Sequence, residues 1–272
     1  MLRFKRKQVQ ATNVSLAQRA YLNLYYRKQR IVRMYQFAIL FFFIALWEIT
    51  TQIGVLNDFI FSSPSRIVKT FVSMMAEGNL LYHIGITLGE TFISFVLVII
   101  LGLLLAVILW WNESVAKVLE PYLVVLNSLP KTALAPVFIV WLGNNMKTII
   151  VAAVSVSVFG TIITLYTDFK EVEPDKVKLI QTLGGTKKDV LLKVVIPSNF
   201  PAIISIMKVN IGLSLVGVII GEFLAAKAGL GYLIIYGSQV FKLDWVIMSI
   251  VVLCIVATVL YKILSYFEKK VH

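Results

Sequence analysis

Asp168–Pro201 reads DFKEVEPDKVKLIQTLGGTKKDVLLKVVIPSNFP, a polar, lysine-rich interruption in an otherwise apolar second half of the chain. Pro174 stands where a first helical turn accepts proline, and Glu173 and Asp175 beside it suit the positive end of a helix. Val177, Ile180 and Leu183 recur at i, i+3 and i+6, which predicts one narrow apolar face. Gly184-Gly185 stops that helix, because glycine accepts the left-handed position beyond a C-terminus. Thr186-x-x-Asp189 approximates a capping box. The second helix it opens runs through Val190, Leu191, Val194 and Val195 until Pro197 and Pro201 break it. The expectation is two short amphipathic helices about a glycine hinge, held outside a membrane.

The membrane follows from composition. Of 272 residues, 59% are hydrophobic and only 15% charged, with a mean hydropathy of +0.86; a soluble domain carries about 25% charged residues. The net charge of +12 is explained by basic residues flanking apolar spans rather than by nucleic acid, since no basic face is interleaved with exposed aromatics. One cysteine, Cys254, lies in an apolar run and leaves no disulfide framework or cysteine metal site. The basic N-terminus lacks a short apolar segment with a small-residue cleavage site, so no removable signal peptide is expected.

Outward from the loop, the apolar stretches predict an all-α integral membrane protein with six transmembrane helices. Residues 1–33 are basic and aromatic, reading as a cytoplasmic tail with an interfacial helix near Tyr21–Tyr35. Met34–Val55 is the first span, carrying Trp47 and Glu48. Ser63-Pro64-Ser65 starts a helix whose Ile67, Val68, Phe71, Val72 and Met75 suit a membrane surface. Leu80–Trp111 exceeds the roughly 20 residues a span needs and must tilt or project; Gly85-x-x-x-Gly89 near its start would let another helix approach. Glu90, an intramembrane acid, is expected to face a bundle interior, and His83 to be interfacial rather than a metal ligand. After the turn Asn112-Glu113-Ser114, the third span covers about Val118–Leu142, interrupted by Pro130 and Pro136 with Lys131 between them. Such breaks are tolerated where a helix lines a cavity or packs inside protein. Past the turn at Gly143-Asn144-Asn145 comes the fourth span, Lys147–Tyr166, with Ser155, Ser157 and Gly160 as small packing positions. The fifth span, Pro201 to about Phe223, contains Lys208, Asn210 and Gly217-x-x-x-Gly221. Glu222–Trp245 holds too many glycines for one continuous helix. The sixth span is Val246–Leu264, and residues 268–272 form a short C-terminal tail.

Lysine and arginine counts orient these spans. With both termini cytoplasmic, the inside holds nine in the tail, six in the 168–201 loop, three near the C-terminus and Lys117, against Arg66, Lys69, Lys147, Lys227 and Lys242 outside. That is a strong positive-inside bias, and it makes the loop cytoplasmic.

Gln181-Thr182-Leu183-Gly184, then nine residues, then Val194-Val195-Ile196-Pro197 resembles the "EAA" loop of permease subunits of binding-protein-dependent ABC importers. Aligned on Gly184, Lys178-Leu179-Ile180 stands where that family carries its Glu-Ala-Ala triplet, so the glycine and proline spacing is kept while the acid is missing. Asn127-Ser128-Leu129-Pro130-Lys131-Thr132-Ala133-Leu134-Ala135-Pro136 with Trp141-Leu142-Gly143, and Gly221-Glu222-Phe223-Leu224-Ala225-Ala226 with Gly229-Leu230-Gly231-Tyr232-Leu233, are similar to the nitrate, sulfonate and taurine branch. The resemblance covers roughly residues 55–265.

It implies a permease domain over 34–267 with a coupling loop over 168–200, in which Lys178, Leu179, Ile180, Thr182, Gly184, Gly185 and Pro197 would meet the ATPase. It further implies two cytoplasmic ATPase subunits, a second permease copy in a homodimer, and an extracytoplasmic solute-binding protein. No cofactor is then bound by this chain, ATP and Mg residing in the partner ATPase, and the setting is a prokaryotic cell membrane. The absence of Gly-x-x-x-x-Gly-Lys-Ser/Thr agrees with a separate ATPase. Pro130, Lys131, Pro136 and Glu222 are the candidates for a translocation path. Each also has a plainer reading: Lys131 attracts an anionic solute, or snorkels or pairs with an acid; the prolines shape a helix; Glu222 is structural. No catalytic or metal-ligating set is evident, and two histidines near opposite ends give little material for a membrane enzyme. An ion-coupled secondary transporter using Glu48, Glu90, Glu222, Lys131 and Lys208 is the alternative. Against it stand the absence of a clear inverted repeat and a structured loop that would have no purpose.

Overall fold

A computed structural model describes residues 16–271; Arg3, Lys5, Arg6 and Lys7 of the basic tail lie outside them. The described residues are helical almost throughout, and the chain divides into two compact units after Ser65.

In the first unit, α1 (Leu16–Gln52) is continuous. The interfacial helix and the first span are thus one 37-residue helix, since no glycine or proline interrupts residues 16–52. Its last turns present Glu48, whose carboxylate accepts the Ser65 N–H at 3.0 Å and the Ser65 hydroxyl at 2.8 Å. The short α2 (Asp58–Phe61) lies between them.

The second unit starts within α3 (Pro64–Ala76), where the expected Ser-Pro-Ser helix start is observed. Ile67, Met74 and Met75 pack on an apolar cluster while Val68, Phe71 and Val72 are exposed, so α3 leans on protein with one side and leaves an apolar face open on the other. The centre of this unit is three long helices: α4 (Asn79–Trp111), α7 (Met146–Lys170) and α11 (Phe200–Ala225). Their close approach comes from glycine. A Cβ on Gly217 would sit 2.6 Å from the Ala153 Cα, one on Gly221 2.9 Å from the Ile149 Cα, and one on Gly102 2.6 Å from the Thr161 side chain. The Gly85-x-x-x-Gly89 pair, by contrast, meets no atom within 4 Å; the described residues place no helix against it.

Between α4 and α7 the expected third span is a bent pair. α5 (Glu113–Ser128) starts on Asn112, whose side chain accepts the Ser114 and Val115 N–H groups. It stops at Leu129-Pro130, and α6 (Lys131–Leu142) leaves at 96°. Only Pro130 breaks the span. Pro136 lies within α6 and Pro121 within α5, against the expectation that Pro136 interrupts. Among the described residues five helices are long and apolar enough to cross a membrane, and the bent pair makes a sixth if counted as one span. After α11 the chain turns at Gly229 into the short α12 (Leu230–Gln239), then α13 (Leu243–Val271). The glycine-rich segment is therefore interrupted as expected.

Candidate functional site

The loop between α7 and α11 is built of two unlike halves. Its first half is α8 (Pro174–Thr182), with Pro174 in the first turn and no buried residue. At its end the Gly185 N–H donates to the Ile180 carbonyl at 2.9 Å and the Gly184 N–H to Gln181 at 3.0 Å, the six-to-one and five-to-two bonds of a Schellman end. Gly184 has φ +79°, a left-handed conformation that costs an L-residue about 1–2 kcal/mol. A Cβ on Gly185 would come within 2.8 Å of the Ile180 carbonyl oxygen. Each glycine is thus required for a different reason, one for its dihedral and one for space.

This turn decides what is presented. Val177 and Ile180 face inward as half-buried residues on the cluster below. Leu179 and Leu183 are 59% and 76% exposed, and Lys178, Thr182 and Gly184 are exposed with them. The spacing puts Leu183 on one narrow apolar face with Val177 and Ile180, but it does not share their burial. It falls outside because the Schellman turn swings the chain away immediately after it.

The second half is anchored. Thr186 and Asp189 form the complete capping box of α9 (Lys187–Val190). Lys193 first (2.8 Å), then Thr186, hold the Asp189 carboxyl well below the usual carboxylate range. A single π turn, Leu191–Val195, follows. Its cause is Pro197, which supplies no N–H and whose ring would meet the Lys193 carbonyl four residues back. The Ile196 N–H reaches instead to Leu191. Pro197 is exposed and lies within α10 (Ile196–Ser198), so the helix widens before it and ends only at Asn199. Val190, Leu191 and Val195 are buried among Ala106 and Leu109 of α4, Ala116 of α5, and Ile162, Leu165 and Phe169 of α7. The expected pair of projecting helices is one projecting helix and one embedded in the core.

A second constellation surrounds Glu222. No side chain of its own caps α12, whose N-terminal N–H groups are served from other helices. Leu230 N–H donates to the Thr87 hydroxyl at 2.8 Å, which in turn donates to Glu222 Oε1 at 2.7 Å. Gly231 N–H donates to Glu222 Oε2 at 2.5 Å, and the Tyr232 N–H also reaches this carboxylate. Gly229 N–H donates to His83 Nδ1 at 2.9 Å. A Cβ at Gly229 or Gly231 would overlap Glu222. Glu222 is 1% exposed and its neighbour Glu90 3%. The Gly-Glu…Gly-Leu-Gly pattern is therefore a latch: an acid on α11 and a hydroxyl on α4 hold a helix N-terminus, where negative charge is favoured.

At the bend, Lys131 Nζ donates to the Leu126 and Asn127 carbonyls, both at 2.6 Å, and lies 5.8 Å from the Phe159 ring. A cation thereby satisfies the carbonyls left open where α5 stops. Pro130 and Pro136 are exposed beside it. Lys208 pairs with Glu268 of α13 at 2.8 Å. Glu48, Glu222, Lys131 and Lys208 each bond a neighbouring group of the protein, while Glu90 is buried beside Glu222 with its Oε2 unpartnered among the described residues. Among the described residues no three His, Cys, Asp or Glu side chains are grouped to hold a metal ion.

Residues 98–272 match the family described as the binding-protein-dependent transport system inner membrane component. The chain belongs to this family. It is the permease subunit of a binding-protein-dependent ABC importer, a transport subunit and not an enzyme. The permease is 30% identical over 188 residues to the formylaminopyrimidine transport permease protein ThiX of Halalkalibacterium halodurans, covering 69% of this chain and 74% of that one. It is 23% identical to the putative aliphatic sulfonates transport permease protein SsuC of Bacillus subtilis, covering 84% and 82%. Its fold is shared with the inward-facing MetNI methionine ABC transporter (TM-score 0.63, 17% identity, 72% and 98% covered). A bacterial ABC transporter importing alginate shares it too (TM-score 0.62, 14% identity, 91% and 99% covered).

Sequence reasoning missed three parts of the permease: Thr87, His83 as a backbone acceptor, and Lys187, which contacts the end of α4. The first two are invisible because their partners are backbone N–H groups about 140 residues away. Trp110-Trp111 immediately before the Asn112 turn was the available signal for the third.

Proposed function

We propose that this permease, as a homodimer, forms the path for a small organic solute and is driven through α8 by two cytoplasmic ATPase subunits. An extracytoplasmic binding protein delivers the solute. Both termini and the 168–200 loop are cytoplasmic in this reading, supported by the lysine and arginine distribution. The observation that carries it is the division of the loop. Leu179 and Leu183, two large apolar side chains, are exposed at the tip beside Gly184, while Val190, Leu191 and Val195 tie the same loop into α4, α5 and α7. An apolar pair outside the lipid needs a protein groove to cover it. A rigid anchor behind it converts movement of that groove into movement of the spans, biasing a bundle with two states.

Lys178, Leu179, Thr182 and Gly184 form the contact in this account, with Ile180 and Gly185 shaping it and Pro197 setting the register of the anchor. The missing Glu-Ala-Ala acid makes the contact an apolar one. ATP and Mg belong to the partner. The relatives are named for aliphatic sulfonates and a formylaminopyrimidine, which supports a small polar organic solute of that size class. Pro130, Pro136 and the exposed face of α6 are the candidate path. Lys131 and Glu222 act on the path by fixing the bend and the latch.

A cysteine at Leu179 in a Cys254→Ser background tests this. Cross-linking to the ATPase subunit in assembled membranes is expected, and labelling from the extracytoplasmic side would overturn the orientation.

A further inference from the structure

The loop is joined to α7 and α11 by the chain itself, but its grip on α4 depends on side chains. One is a lysine. Lys187 is the first residue of α9, aimed by the Thr186–Asp189 capping box. Its Nζ donates to the Trp111 carbonyl at 2.6 Å, on the last residue of α4, and lies 5.6 Å from the Trp110 ring centroid and 5.7 Å from that of Trp111. A cation here meets the negative end of a long helix and an open carbonyl, and two indole faces add to the attraction. Lys187 thus closes on the junction where α4 turns into α5. The opposite end of α4 carries Thr87, bonded to Glu222 and to the N-terminus of α12. α4 has 33 residues, a rod of about 50 Å, held to the loop at one end and to the latch at the other.

We propose that Lys187 is a positioning residue for coupling: it makes α4 move with the loop, so that a displacement of α8 reaches the Glu222 latch as well as the two covalently attached spans. This rests on the reading of α8 as the ATPase contact. Without the ammonium, α7 and α11 still follow the loop through the chain, while the end of α4 is held only by the apolar contacts of Ala106 and Leu109 with Val190, Leu191 and Val195.

The test uses the full transporter in proteoliposomes with its ATPase and binding protein. Lys187→Met keeps the aliphatic stem on the tryptophans and removes the cation; Lys187→Arg keeps a cation. Two quantities are read for each: cross-linking from a cysteine at Leu179, and the rate of ATP-driven uptake against loaded binding-protein concentration. The expected result for Lys187→Met is unchanged cross-linking, a maximal uptake rate lowered about tenfold, and an unchanged half-saturating concentration of binding protein. Lys187→Arg restores the rate. Uptake by Lys187→Met within twofold of the parent overturns the proposal, as does an equal loss in Met and Arg variants, which would mark a purely steric role. Failure of Leu179 to cross-link in the parent itself overturns the docking reading, and the proposal with it.

Discussion

The Thr87 hydroxyl is committed in both directions, accepting from Leu230 N–H and donating to Glu222 Oε1. That commitment makes Glu222 an acceptor toward Thr87, Gly231 and Tyr232 together. Glu222→Gln keeps the volume but offers one oxygen in place of two. It leaves a buried N–H opposite an amide NH2, a loss of about 1–3 kcal/mol. Thr87→Val strands both Leu230 N–H and a Glu222 oxygen at a similar cost. Thermal unfolding in detergent should fall for both, while Thr87→Ser stays near the parent.

The two loop glycines separate by mechanism. Gly184→Ala meets open space and carries only the cost of its dihedral, about 1–2 kcal/mol. Gly185→Ala must displace Ile180, so the end of α8 opens. Hydrogen exchange at residues 180–186 should rise modestly for the first and strongly for the second, with the amides of α7 unchanged in both.

Asp189 supplies a pH dependence whose sign is fixed. Its folded pKa lies below the ordinary value because Lys193 and Thr186 hold the charged form, so its contribution is complete above the ordinary aspartate value of about 3.9 and fades as pH falls through the lower folded value. At neutral pH, Asp189→Asn should exchange the amides of residues 186–190 faster than the parent. The difference should persist to about pH 4 and vanish only in stronger acid; a difference that disappears near pH 6 would contradict this cap.

Lys131 distinguishes a path residue from a structural one. Lys131→Met leaves the Leu126 and Asn127 carbonyls open at the bend. Because a hydrogen bond to a charged group contributes about 1.5–3 kcal/mol, the midpoint of thermal unfolding should drop. The concentration of loaded binding protein giving half-maximal uptake should not change. A changed solute preference with unchanged stability would return Lys131 to the path.

Glycines, prolines and caps were readable because their effects are local. Pro174, Gly184, Thr186–Asp189, Asn112 and Ser63-Pro64-Ser65 all act within a few residues, and the elements begin or end at them. Periodicity failed where the chain changes direction within a turn, as at Leu183. Proline alone did not separate a break at Pro130 from tolerance at Pro136; the difference lies in whether a cation was available to cap the opened end, and Lys131 follows Pro130. The Glu222 latch and the Lys187 contact with α4 join residues 135 and 76 positions apart, and no local pattern encodes such pairs. The glycine and proline spacing of the loop carried the family without them.

The most direct measurement of the central claim is uptake by proteoliposomes holding the permease, its ATPase and its binding protein, with ATP and an ion gradient supplied separately. Uptake is expected to require ATP, binding protein and an intact Gly184–Gly185 turn, with none from a proton or sodium gradient alone. Accumulation driven by such a gradient in the absence of ATP would contradict it.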